Sequence, residues 1–111
     1  MTPRPPPYVH ALVGAHTVRQ ARQTHAGILA ALRDHADTRL DCAGVTEADL
    51  SLIQIVLAAH DSAAAAGRSF VLHAPPPPPV RNALQRGGFA NDGSANPAEW
   101  RGHSPKPGGR A

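Results

Sequence analysis

A chain of 111 residues and 11.6 kDa has room for one small core, which excludes a multidomain enzyme. Hydrophobic residues make up 41%, but many are alanine and only Trp100, Tyr8, Phe70 and Phe89 are aromatic, so the core must rest on Leu, Ile and Val. The net charge of +3 is dispersed, with eight basic and six acidic side chains in residues 1–89 and three and two in residues 90–111, so the basic stripe that a nucleic-acid partner requires is missing.

Residues 1–7 form a proline-rich leader that cannot be helical and has no apolar run of the kind a secretory signal carries. Residues 8–13 are a short apolar stretch closed by Gly14, which suits an edge strand, and residues 15–18 are placed to pair back onto it as a hairpin. From Val18 the period changes to steps of three and four through Ala21, His25, Ile28 and Leu32, the apolar face of a helix that ends near His35. Residues 38–42 then read as a short central strand with Asp41 and Cys42 at its end. The lone Cys42 has no partner for an internal disulfide, and the chain lacks the paired cysteines of small secreted domains, so a reducing cytoplasm is expected.

Thr46 and Asp49 stand three apart ahead of Leu50, Ile53, Leu57 and Ala64, so that either the hydroxyl or the carboxylate can cap a second helix, ended by Gly67. The most apolar stretch of the chain, residues 50–59, includes Ser51 and Gln54 and falls short of the ~20 apolar residues that span a bilayer, so no membrane insertion is expected. Phe70, Val71 and Leu72 make a β-favouring run, followed by the proline connector of residues 75–79. Val80, Ala83 and Leu84 share one face of a third helix that Gly87 and Gly88 stop, with Phe89 folding back onto it. Residues 90–111 read as a flexible Gly/Pro-rich C-terminal tail in which Trp100 is a candidate anchor on a partner or on the domain itself. The expected fold is an α/β domain over residues 8–89, with a mixed, mostly parallel sheet of about four strands and three main helices on one face or shared between both.

Residues 40–59, LDCAGVTEADLSLIQIVLAA, resemble the core of STAS domains, the family that includes bacterial anti-sigma factor antagonists, in which a strand leads through a short loop to Asp-Ser and a helix. Residues 63–72 look like the family's second crossover and strand, and residues 79–89 are similar to its closing helix. The resemblance implies a non-enzymatic, cytoplasmic switch without a cofactor, acting in a sigma-factor or chemotaxis-type two-component pathway. Its partner would be a protein such as an anti-sigma kinase that phosphorylates a hydroxyl at the start of the second helix. The implied contact residues here are Thr46, Asp49, Leu50, Ser51 and Gln54, with the loop after Gly14 facing them. The chain departs from the family at the acceptor, because the residue after the aspartate is Leu50; Ser51 and Thr46 remain as candidate phosphorylation sites, although a one-residue shift turns a helical side chain by about 100°. STAS-like domains also attach to phospholipid-import ABC transporters, and a cytoplasmic subunit of that kind is the alternative.

Other chemistries find less support. The seven histidines, His10, His16, His25, His35, His60, His73 and His103, include no pair at zinc-ligand spacing, so no metal is expected. A nucleophilic role for Cys42 would need a base beside it, whereas a small residue at the end of a central strand is ordinarily buried as a hydrophobe. No glycine-rich phosphate loop precedes a helix.

Overall fold

Among the described residues three strands and three α-helices alternate: β1 (Tyr8–His16), α1 (Ala21–Asp34), β2 (Asp37–Ala48), α2 (Leu50–Ala65), β3 (Ser69–Leu72) and α3 (Pro78–Arg86). The computed structural model describes residues 6–90 and 92–101. β2 lies in the middle and pairs in parallel with β1 on one side and β3 on the other. On β2 the side chains of Thr38, Leu40 and Cys42 are buried while Arg39 and Ala43 stay more open, so among the described residues the helical layer covers one face of the sheet and leaves the other without a helix.

The hairpin expected at Gly14 is not formed. Gly14 takes a positive φ of 85°, but the chain continues as β1 to His16, and the irregularity appears as shifts of register between Ala11 and Val13 and between Gly14 and Ala15. A two-residue hairpin turn of type I′ needs two positive-φ positions, and only one is supplied here. The described sheet therefore has three strands, all parallel, in keeping with the mostly parallel sheet of about four strands that was expected. β2 is correspondingly longer than residues 38–42, because β1 runs beside it as far as the His16–Ala48 pair. Gly44 permits that approach: a Cβ there would meet the Leu12 carbonyl and the Val13 side chain at 3.2 Å.

The face of α1 is also rotated from the expected one. Its buried residues are Thr24, Ile28, Ala31 and Leu32, while His25 is exposed and Val18 lies before the helix in a 3-10 turn, Val18–Gln20, that Thr17 caps. In α2 the buried set is Leu52, Ile53, Val56, Leu57, Ala59 and Ala63, which leaves Leu50 and Ala64 outside the core. α3 buries Val80, Ala83 and Leu84 as its spacing requires, and it begins on Pro78 and Pro79, whose missing N–H groups have no intrahelical partner at a first turn. Gly88, at φ 80°, and the Phe89 N–H donated to the Leu84 carbonyl at 2.9 Å close it with the expected fold-back.

The C-terminal end of α1 is held from a distance. Arg68 Nη1 donates to the carbonyls of Leu32, Arg33 and His35 at 2.7, 3.1 and 3.2 Å, placing a guanidinium on the negative end of the helix. Arg68→Ala should therefore lower stability by about 1–2 kcal/mol in urea denaturation, since a charge-assisted bond and a dipole contact are lost together. An unchanged midpoint would show that water replaces the guanidinium at no cost.

Residues 92–101 do not behave as the loose tail that their composition suggests. The Trp100 ring is 1% exposed and its Nε1 donates to the Ser94 carbonyl at 3.0 Å, so the anchor is on the domain itself. Ala90 N–H donates to the Trp100 carbonyl and Leu72 N–H to the Ala95 carbonyl, both at 2.8 Å, which seats the segment along the outer edge of β3. Arg101 forks onto Asp61 of α2 at 3.2 and 2.9 Å. A composition of Gly, Pro, Asn and Ser specifies turns, and turns held by one buried indole are ordered. The expectations for residues 1–5 and 102–111, His103 among them, fall outside the described residues.

Candidate functional site

The end of β2 delivers the chain to the first turn of α2, and that junction is fastened from two sides. Asp49, not Thr46, is the N-cap: its backbone is extended, and Oδ1 accepts the Ser51 N–H at 2.9 Å. Its second oxygen, Oδ2, accepts the Val18 N–H at 3.0 Å from the loop that follows β1. Burial alone would raise the carboxyl pKa, but hydrogen bonds from the Val18 backbone, from the Ser51 hydroxyl and N–H and from the Leu52 N–H outweigh it and hold the group below its usual value. Asp49 is thus a clasp between two loops, and its charge is spent inside the domain.

Around the clasp the surface is apolar. Val18 is 69% exposed and Leu50 44%, although both are large hydrophobes. Leu50 leans on α3, with its Cδ1 3.0 Å from where a side chain on Gly87 would begin, and Arg86 Nη2 donates to the Ala48 carbonyl at 3.1 Å beside it. Gln54 is exposed one turn further along α2, on the side that Leu50 faces. Ser51 is half-buried, and its N–H is bound by the Asp49 carboxylate. Thr46 stands apart: it is exposed on β2 and lines a separate hollow of about 270 Å³ with Glu47, Pro78, Asn82 and Arg86.

The structure therefore brings Asp49, Leu50, Ser51 and Gln54 together with the loop after Gly14 and separates Thr46 from them. Two contributors escaped the sequence reading. Val18 fits the helical spacing of α1, and nothing local marks a valine whose N–H meets a carboxylate 31 positions away. Arg86 reads simply as a basic residue in the last turn of a helix.

Cys42 is buried, and burial first and the neighbouring Asp41 second push its thiol up to about 12. The nucleophilic thiolate is therefore scarce at neutral pH. Iodoacetamide at about pH 8 should leave Cys42 unmodified in the folded protein and alkylate it fully in urea; rapid labelling of the native state would contradict its burial. His16 is tied at both ring nitrogens, Nδ1 to the Thr24 hydroxyl at 2.8 Å and Nε2 to the Val13 carbonyl at 3.1 Å, so its role is to hold α1 to β1. Among the described residues no group of three His, Cys, Asp or Glu side chains converges to hold a metal ion, and no helix is long and apolar enough to cross a membrane.

Neither the curated proteins nor the solved structures contain a match to this chain. A protein-family model described as "Mlab, STAS domain" does match, over residues 7–91, a span that runs from the start of β1 past α3 and takes in the whole clasp. With that match over most of its length, and with the α/β layer just described, the chain belongs to the STAS domain family.

Proposed function

We propose that this protein is a non-enzymatic, cytoplasmic regulatory module that works by docking on a protein partner through the start of α2, in the manner of anti-sigma factor antagonists but without a phosphorylation switch at the usual position. STAS domains in general mediate protein–protein interaction. The single observation that carries the finer reading is Leu50: at the position where the family pattern has its acceptor hydroxyl stands an apolar side chain, 44% exposed, beside an even more exposed Val18. An exposed apolar pair on a rigid frame favours association, and a leucine cannot be phosphorylated. Phosphate on Ser51 would sit against the Asp49 carboxylate and break the cap, whereas Thr46 is exposed beside Arg86 and is the better acceptor of the two.

A second reading, a cytoplasmic subunit of a phospholipid-import ABC transporter, is favoured by the description of the matching family, which is Mlab and not an anti-sigma name. A permanently bound subunit equally needs no acceptor at Leu50. Affinity capture from source cells, run side by side with the wild type and Leu50→Glu, separates the two. A kinase or sigma regulator retained by the wild type alone supports the first, and a membrane ATPase the second. A set of captured proteins that is the same for both forms refutes docking at this corner. Phosphate found by mass spectrometry on Thr46 of the partner-bound protein would refute the switch-free version.

A further inference from the structure

The two edges of the sheet are treated differently. The β3 edge is only four residues long and is closed by the chain itself, through the Leu72 N–H donated to the Ala95 carbonyl and the Trp100 segment beyond it. The β1 edge is nine residues long and, among the described residues, is paired only with β2. Its sequence, YVHALVGAH, contains no Lys, Arg, Asp or Glu. Soluble proteins ordinarily guard such an edge with charge, proline or brevity. Pro6 and Pro7 stand just before the strand, and at its far end the register shifts between Ala11 and Val13 and between Gly14 and Ala15, and the His16 ring occupies the Val13 carbonyl. From Tyr8 to Ala11 the edge is regular and without formal charge, and three of the five exposed large hydrophobes among the described residues, Tyr8, Val9 and Val13, belong to this strand.

The bare face of the sheet continues this surface. Val9 and Ala11 pair with Arg39 and Asp41 of β2, so they share the face that no helix covers, and both are exposed. Parallel sheets are seldom left open on one face.

We infer that the β1 edge is the dimerisation surface of this protein, with β1 of a second copy adding antiparallel along residues 8–11 to make one continuous six-stranded sheet. The charge pattern selects a second copy over another partner. A strand without formal charge meets itself without repulsion, whereas it offers a charged heterologous strand nothing to pair with. A two-fold axis running strands antiparallel lets each copy supply the same donors and acceptors that it needs. The same operation sets Val9 and Ala11 of both copies side by side on the open face. Burial and the neighbouring His16 shift His10, which lies within the pairing stretch, toward its neutral form, which removes the one charge that could oppose the contact. The α2 corner takes no part, so this surface and the docking face are independent.

Analytical ultracentrifugation of the wild type and of the double variant Val9→Lys/Ala11→Lys tests the inference. Both positions are exposed, so thermal unfolding should be little changed, and it is measured alongside. The expected result is a dimer for the wild type and a dissociation constant raised by about tenfold or more for the variant, because like charges are brought together across the two-fold axis. A wild type that is monomeric at every concentration tested overturns the inference, and so does a dimer that survives both lysines in a folded variant. Leu50→Glu should leave the dimer intact; loss of dimer with that change and not with the lysines would move the interface to the α2 corner and overturn the β1 assignment while leaving docking there standing.

Discussion

Trp100→Ala is expected to lower stability by about 3–5 kcal/mol, the cost of emptying a fully buried large aromatic site. A small domain commonly has a total of only about 5–15 kcal/mol, so the variant should unfold at a much lower urea concentration or be partly unfolded in buffer. The reason is structural. Trp100 closes the path from α3 back to the β3 edge, and the Ala90, Ala95 and Ser94 hydrogen bonds all depend on where its ring and backbone sit. Loss of the ring therefore removes packing and releases the segment that covers the sheet edge. Ending the chain after residue 90 should be as damaging, whereas Arg101→Ala, which breaks only an exposed ion pair, should change the midpoint little. Denaturation followed by circular dichroism measures all three. A Trp100→Ala midpoint equal to that of the wild type would show that residues 92–101 are an ornament on the core and not a part of it.

The contrast between Trp100 and α3 shows what a sequence exposes to inspection. The α3 reading succeeds because Val80, Ala83 and Leu84 repeat at helical spacing and Gly87, Gly88 and Phe89 supply a stop whose geometry is local. Trp100 sits among turn-forming residues with no period around it, so its burial is decided entirely by what it meets in three dimensions. The same division holds at the N-terminal side. A glycine after an apolar run signals a break, but whether the chain reverses there or continues with a shifted register depends on β2 lying alongside, which no neighbouring residue reveals. At the α2 corner the cap was visible as a choice between Thr46 and Asp49, while the second half of Asp49's role was hidden, because Val18 lies far away in the chain.

That dual role separates two substitutions that look interchangeable in the sequence. Leu50→Glu should weaken binding to the captured partner by about 2 kcal/mol, roughly thirtyfold in Kd, while leaving the unfolding midpoint close to the wild type, since the side chain is substantially exposed and helix propensity is nearly preserved. Asp49→Ala should instead cost about 1 kcal/mol of stability through loss of the cap, and weaken binding only as far as the Val18 loop is released. Acid should reproduce the second effect. The Asp49 carboxyl is held below the ordinary 3.8, so its contribution to folding is present above that value and is lost as the pH falls through its lowered folded-state value; Asp49→Ala should lack that component of the acid transition. Titration calorimetry of each variant against the captured partner, with denaturation measured in parallel, reads both quantities. If Leu50→Glu binds as the wild type does while remaining folded, the exposed apolar corner is not the docking face. If Asp49→Ala abolishes binding with no loss of stability, the carboxylate reaches the partner directly and is not consumed within the domain.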